Sequence, residues 1–294
     1  MHGAVGMATW LNTLIQGVMT GGLYAMFAVG LALIFGVMRL VNIAHGDLIV
    51  LAAYVALVVT QSLGLEPLTS LLLVIPVMAL VGYGLQRGIL NRTLGRDLLP
   101  PLLVTFGLSV ILQNGLLALF SADNRRLQAG AIEVANLQWG EFVSVGVLPL
   151  LQLGLAVTVI AALQWVFYRT PLGRSFRAVS DDPQIAQLMG LNNRHVFALA
   201  MALSLAVVAL AGVLLAIRSN FDPASGPTRL IFGFEAVIIG GLASFWGTLA
   251  GGILLGVVQA VAASFDPQWQ VLAGHITFLI VLAIRPQGLF GRAD

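Results

Sequence analysis

The stretch G-G-L-Y-A-M-F-A-V-G-L-A-L-I-F-G-V-M-R-L-V-N-I-A-H-G-D, Gly21–Asp47, decides the fold of this chain. Its first part continues an apolar run that starts near residue 11, and a membrane crossing takes about 20 such residues. Its last part, V-N-I-A-H-G-D, brings three polar side chains together directly before another apolar stretch. The sequence therefore predicts a membrane helix, a short polar connection and a second membrane helix.

The rest of the chain has the same apolar character. Of its 294 residues, 59% are hydrophobic and 9% are charged, whereas a soluble domain carries roughly 25% charged residues. Eight apolar stretches can be delimited, at about 11–36, 46–62, 68–88, 99–120, 143–167, 195–217, 235–261 and 269–286. We therefore expect an all-α, polytopic integral membrane protein with about eight transmembrane helices, forming a single domain over residues 1–294.

Arginine placement predicts the orientation, because cytoplasmic loops are enriched in basic residues. The loop around 87–97 holds three arginines and the loop 168–194 holds four. Both are assigned to the cytoplasm, which leaves the loop 121–142 and the N-terminus outside. Eight simple crossings would then put Arg285 and Arg292 outside as well. One stretch is therefore expected to be broken or re-entrant, either the glycine-rich 235–261 or the chain near Asn42–Gly46.

The polar connection Val41–Asp47 is the first candidate for function. Asn42 or Asp47 is predicted to cap a helix that starts at Gly46. A helix that begins inside a membrane protein directs unpaired N–H groups and a positive dipole end inward, where they can hold a carboxylate. His45 and Asp47 together suggest a proton-handling site. The alternative is a short loop at the membrane face, in which Asn42 and His45 satisfy backbone groups.

The long cytoplasmic loop contains a second candidate, a short helix with clear end signals. Asp182 can cap it, Pro183 suits its first position and Gly190 suits its C-terminal stop. Its body of about two turns is marginal alone in water. Ile185 and Leu188–Met189 fall on one side, so the helix is expected to dock, either on this protein's own helix ends or on another protein.

A glycine-rich run forms the third feature, G-F-E-A-V-I-I-G-G-L-A-S-F-W-G-T-L-A-G-G-I-L-L-G at 233–256. Small residues spaced by four let membrane helices approach closely, so we interpret these glycines as helix-packing positions. They are Gly240, Gly241, Gly247, Gly251, Gly252 and Gly256. Arg218, Arg229 and Glu235 are expected at the membrane interface, because long side chains can reach the headgroups.

Several kinds of chemistry are excluded by what the sequence lacks. It has no Cys, hence no disulfide, Cys metal site or thiol nucleophile, and no Lys, hence no Walker A loop and no lysine Schiff base. Its four His form no metal-spaced pair, and no G-x-S-x-G elbow is present. A net charge of +2 does not suggest nucleic-acid binding. We therefore expect no enzyme activity, metal or cofactor.

Three segments in order carry a resemblance to a known family. They are the opening stretch 21–47, the loop segment G-R-S-F-R-A-V-S-D-D-P-Q-I-A-Q-L-M-G-L and the late segment V-I-I-G-G-L-A-S-F-W-G-T-L-A-G-G. Together they resemble the branched-chain amino acid ABC transporter permeases, and are most similar to the shorter, LivH-type subunit. The resemblance covers about Leu11 to Phe290.

This resemblance implies an importer of the bacterial inner membrane that moves branched-chain or related amino acids by ATP-driven alternating access. Its partners would be a second permease subunit, two ATP-binding subunits, a substrate-binding protein and membrane lipid. The missing Walker A loop agrees with ATP hydrolysis in a partner. The loop 168–194 would couple to the ATPase through Asp182, Pro183, Ile185, Ala186, Leu188, Met189 and Gly190. The translocation path would lie near Asn42, His45, Gly46 and Asp47.

Two other readings stay open at this point. A stand-alone channel or facilitator for a small neutral solute such as urea would also suit glycine-rich helices with few charges. Its weakness is the elaborate cytoplasmic loop, for which a channel has no need. An integral membrane enzyme is the third reading, and the missing catalytic motifs make it the weakest.

Overall fold

The computed structural model describes residues 2–95, 99–139 and 143–291. Arg96, the third arginine of the loop 87–97, and Arg292 lie outside the described residues. Within those ranges the chain forms twelve α-helices, a short 3-10 helix at Leu90–Arg92 and one β-hairpin. The helices are α1 (His2–Met38), α2 (His45–Leu63), α3 (Pro67–Gly88), α4 (Leu99–Phe120), α5 (Ala131–Val134), α6 (Val147–Arg169), α7 (Pro171–Asp181), α8 (Pro183–Leu188), α9 (Asn193–Arg218), α10 (Gly226–Gly240), α11 (Phe245–Phe265) and α12 (Trp269–Ile284).

Seven of the described helices, α1, α2, α3, α4, α6, α9 and α11, are long and apolar enough to cross a membrane. Helix α12 is also apolar but has only 16 residues. Every predicted stretch contains a helix, so the predicted helical membrane fold is confirmed. The stretch 143–167 was placed too early, because strand β2 (Val143–Gly146) pairs antiparallel with β1 (Asn136–Trp139) before α6 begins.

The centre of the fold is formed by α1 and α9. Helix α1 packs against α11, α9, α10 and α6, while α9 also packs against α3 and α2. Most side chains of α1 and α9 are buried, whereas most of those of α3, α4 and α6 are partly or fully exposed. The exposed side chains of these outer helices are largely apolar, such as Leu72, Leu80 and Leu103. This distribution suits a surface in contact with lipid or with other membrane subunits.

Glycines bring α11 into backbone contact with α1. A Cβ added at Gly252 would lie 2.7 Å from the carbonyl oxygen of Gly21, and one added at Gly17 would lie 2.6 Å from Cα of Val257. Gly256 faces the same side of α11, where an added Cβ would lie 2.8 Å from Cα of Gly21. These positions have no room for a side chain, which is the geometry expected of close packing between membrane helices.

The predicted break in 235–261 lies at 241–244, between α10 and α11. The two helices fold back on each other, since Cβ atoms at Gly240, Gly247 and Gly251 would each meet backbone of the opposite helix. Gly241 has a different role from these three. With a φ of +104°, Gly241 follows the last residue of α10, and it lies against the backbone of Phe290–Gly291. Helix α10 also begins earlier than the sequence suggested, at Gly226, with a proline in its first turn.

This break resolves the side on which the chain ends. The amides of Leu289 and Phe290 donate to the carbonyls of Ile239 (2.8 Å) and Gly240 (3.1 Å), at the end of α10. The turn that follows α10 lies beside the end of α1, where Ser180 of the loop 168–194 donates to the carbonyl of Gly36 (2.7 Å). The segment after α12 therefore lies at the end of the molecule that the arginines assign to the cytoplasm.

Candidate functional site

Helix α2 begins in the interior of the protein. Nε2 of His45 lies 2.9 Å from the carbonyl oxygen of Phe27, in the middle of α1. Phe27 precedes the end of α1 at Met38 by about 16 Å, at 1.5 Å of rise per residue. Residues 39–44 thus return from the end of α1 to a point within the bundle, and α2 has its positive N-terminal end there. The loop therefore does not lie at the membrane face, as the alternative had it, but Asn42 and His45 do bond to backbone groups, as the same alternative expected.

Neither of the predicted side chains caps α2. The helix starts at His45, its N-cap residue is Ala44, and no side chain bonds to its first amides in the cap position. Oδ1 of Asn42 accepts from the amide of Ala44 (3.0 Å), which closes a turn just before the helix. Such a turn is a common use of an Asn side chain that lies just before a helix instead of at its N-cap position.

Asp47 lies between three helices. Its Oδ1 accepts from Nε2 of Gln113 on α4 (3.0 Å). The first residue of α10, Gly226, lies so close that an added Cβ would stand 2.7 Å from Cγ of Asp47. The carboxylate therefore lies at the N-termini of both α2 and α10, where two positive helix ends favour a negative charge.

The four predicted path residues are all buried. Asn42, His45 and Asp47 are each at most 1% exposed, and a Cβ at Gly46 would stand 2.8 Å from the amide of Leu230 on α10. His45 bonds to Phe27 and Asp47 to Gln113, so the proposed His45–Asp47 pair is not a bonded pair. In this conformation these residues hold α2, α4 and α10 together, and because they are buried they do not themselves line a path.

Replacing Asp47 by alanine is expected to destabilise the protein by about 1–3 kcal/mol, because the partly buried amide of Gln113 loses one of its two acceptors and two helix ends lose a negative charge. Asp47→Asn, which keeps an oxygen acceptor, should lose less. Thermal unfolding of the purified protein in detergent measures the difference. Equal unfolding temperatures for the wild type and Asp47→Ala would contradict this structural role.

The cytoplasmic loop contains two helices instead of the one predicted. Helix α7, which the sequence analysis missed, buries Phe176 and Val179 and packs on α1, α6 and α9. Its start has a local signal, since Thr170 accepts from the amide of Gly173 (3.2 Å) and Pro171 follows it. The hydroxyl bond from Ser180 to Gly36 then ties the end of α7 to the end of α1.

Helix α8 has the ends that its sequence indicates. Oδ1 of Asp182 accepts from the amides of Gln184 (2.8 Å) and Ile185 (2.9 Å), and Pro183 occupies the first turn. Gly190 follows the last turn with a φ of +88°, a conformation that glycine adopts without strain. Nδ2 of Asn193 also donates to the carbonyl of Pro183 (2.6 Å), which ties α8 to the start of α9.

The apolar side chains of α8 face outward. Ile185 is 59% exposed, Leu188 87% and Met189 81%, whereas Ala186 alone is buried against the protein. Of the two alternatives for this helix, docking of its apolar side on the protein's own helix ends is therefore wrong, and docking on another protein stays a prediction. An exposed apolar tip on a short helix that is capped at both ends is typical of a surface that contacts another protein.

Glu235 and Arg218, two of the three charged residues expected at the membrane interface, turn into the bundle. Glu235 is 4% exposed, and its Oε1 contacts Nδ1 of His275 on α12. Arg218 lies partly buried and donates to Gln152 of α6 (2.7 Å) and Thr20 of α1 (2.9 Å). Both side chains are long enough to reach the headgroups, but length does not decide which way a side chain points, and both point into the bundle. Arg229 is only partly buried.

Comparisons with known proteins agree with this architecture. The family described as the branched-chain amino acid transport system permease component matches residues 13–284. The chain is 29% identical to the high-affinity branched-chain amino acid transport system permease protein BraD of Pseudomonas aeruginosa, over 97% of both chains. It is 28% identical to the corresponding permease protein LivH of Salmonella typhimurium, over 97% of this chain and 96% of the relative. It is also 30% identical to the fructose import permease protein FrcC of Rhizobium meliloti, over 83% of this chain and 69% of the relative.

Proposed function

The chain belongs to the family of permease components of branched-chain amino acid transport systems, and we propose that it moves branched-chain or related amino acids into the cytoplasm by ATP-driven alternating access. It is a transport subunit of an ABC system and not an enzyme, and it is a multi-pass protein of the bacterial inner membrane. The observation that carries the assignment is the family match over residues 13–284.

Permeases of this family work with ATP-binding and substrate-binding components. For this chain we infer one complex of two permease subunits, two ATP-binding subunits and one binding protein, surrounded by lipid. The absence of a Walker A loop from the sequence agrees with ATP hydrolysis outside this subunit. One permease domain would span residues 1–294, because α7 and α8 pack on the transmembrane helices instead of forming a unit of their own.

Helix α8 is the coupling element in this mechanism. Its exposed residues Leu188 and Met189 would enter a recess on the ATP-binding subunit, while the buried Ala186 and the bond from Asn193 to Pro183 fix the helix to the permease. Helix α7 would transmit the movement, because it contacts both α1 and α9. A movement of α1 reaches the start of α2 through the contact of Phe27 with His45. This route connects the cytoplasmic surface with the residues Asn42–Asp47, which would lie close to the path.

The alternative of a stand-alone channel for urea or another neutral solute has no support among these relatives, whose names describe transport-system or import permeases. Integral membrane enzymes are equally absent from these names. Coupled import is therefore the function that the fold, the exposed tip of α8 and the relatives support together.

Two measurements test this function. The tagged protein, purified from its native membrane in mild detergent, should bring with it a second permease and two ATP-binding chains. Vesicles with the reconstituted complex and binding protein should take up leucine, isoleucine or valine only when ATP is present, and fructose should serve as the comparison solute. Isolation of this chain alone, with ATP-independent flux, would instead establish a channel.

A further inference from the structure

Glu235 of α10 and His275 of α12 form the one acid–base pair between two apolar helices in the part of the chain that the structure describes. The carboxylate is 4% exposed, whereas the imidazole side chain is 39% exposed. Its Nδ1 contacts Glu235, so the outer edge of the ring faces away from the protein. The pair is thus anchored inside and presents a polar edge on an otherwise apolar surface.

The polar groups behind this pair are also buried. The hydroxyl of Tyr24 donates to Oε1 of Gln259 (2.6 Å), and Gln259 is 1% exposed. Neither Nε2 of Gln259 nor Oε2 of Glu235 has a hydrogen-bond partner in the protein. Gly274 lies against Gln259, where an added Cβ would stand 2.6 Å from Nε2. Four helices therefore meet at a polar cluster directly behind His275.

Lipid is a poor neighbour for this surface. An ionisable side chain that faces hydrocarbon is costly, and such residues usually face the bundle interior or a water-filled cavity. Helix α10 gives a second argument. Its 15 residues span about 22 Å, less than the roughly 30 Å of the hydrocarbon core. Interrupted helices at this depth are tolerated where they line water or are buried in protein.

The outward side of α10 runs alongside the pair. Pro227, Thr228 and Ile231 are exposed on it, and Arg229 is partly buried with its Nε unpartnered. Helix α3 differs, since it packs on α9 and α2 and exposes leucines in the middle of its span, including Leu80 at 72% exposure. The face of α10 and α12 thus has Thr228, Arg229 and His275 among apolar side chains such as Ile276, whereas the exposed side chains in the middle of α3 are all apolar.

We propose that the face formed by α10 and α12 around His275 is this subunit's wall of the aqueous translocation path. The assignment rests on the transport function proposed above. Glu235 orients the imidazole, whose outer nitrogen contacts a small polar solute such as an amino-acid zwitterion as it passes. The buried residues Asn42–Asp47 lie behind this wall and support it.

The absence of cysteine from the sequence makes a direct test feasible. Ile231→Cys and Leu279→Cys each place a thiol one helical turn from the pair, at side chains that are 47% and 59% exposed. Leu80→Cys on α3 is the matched control. The complete transport complex in native membranes is treated with a charged, membrane-impermeant thiol reagent. We expect the two path positions to react about tenfold faster than the control or more, because the reactive thiolate forms only in water.

Labelling and transport separate the two hypotheses. Equal, slow labelling at Ile231→Cys, Leu279→Cys and Leu80→Cys, in complexes that still transport, would overturn the path assignment and leave the importer function standing. Fast labelling at the two path positions in a complex without ATP-dependent uptake would contradict the proposed function but keep an aqueous surface here. Both substitutions replace side chains that are about half exposed, so each removes little of the packing of the folded protein.

Discussion

Gly252→Val is expected to prevent stable packing of α11 on α1 and to remove most of the folded protein from the membrane. The new Cβ would lie 2.7 Å from the carbonyl oxygen of Gly21 and 2.8 Å from the amide of Ala25. Both neighbours are backbone atoms of a buried helix, so they cannot move aside as a flexible side chain can. The helices must separate, which costs about 3 kcal/mol or more.

The consequence is severe because α1 is the most widely connected helix. In a membrane no hydrophobic effect drives helices together, so the association depends on close van der Waals contact. Gly154→Val on α6 is the matched control, since a Cβ there meets nothing within 4 Å. Membrane yield and unfolding temperature in detergent are measured for both variants. Wild-type values for Gly252→Val would show that α1 and α11 do not pack as described.

Features with a local cause could be predicted from the sequence. The helix α8 is an example, because its cap, its first-turn proline and its terminal glycine all lie within nine residues of one another. The break at 241–244 was predicted only as one of two alternatives, the other near Asn42–Gly46, because eight unbroken crossings would have left Arg285 on the wrong side. The membrane helices could likewise be predicted, because length and composition decide whether an apolar stretch can cross a membrane.

Features that depend on tertiary contacts could not be predicted from the sequence. Asp47 meets Gln113 and Gly226, and Glu235 meets His275, across separations that no sequence periodicity encodes. The sequence also does not show which way a side chain points. The apolar side of α8 could have docked on this protein, yet only Ala186 is buried. Glycine spacing indicates a packing face, but the partner helix appears only in the fold.

Leu188→Asp is expected to abolish ATP-dependent uptake while leaving the amount of inserted protein unchanged. Leu188 is 87% exposed, so a carboxylate there stays in water and disturbs no contact within the permease. In the assembled complex the same carboxylate would have to enter an apolar recess of the ATP-binding subunit. The loss of such an anchor costs about 2 kcal/mol or more, and the movement of the ATPase would no longer reach α8.

Three measurements separate a lost contact from a lost fold: the amount of Leu188→Asp in the membrane, its co-purification with the ATP-binding chains, and uptake. Met189→Asp, at 81% exposure, should behave in the same way. Val134→Asp is the control, since it places the same charge at a side chain 76% exposed in the outer loop. Wild-type uptake by an assembled Leu188→Asp complex would remove α8 as the coupling element. The arginine-rich surface of the loop 168–194 would then be the next contact to test, because its charge is free to attract acidic groups on a partner.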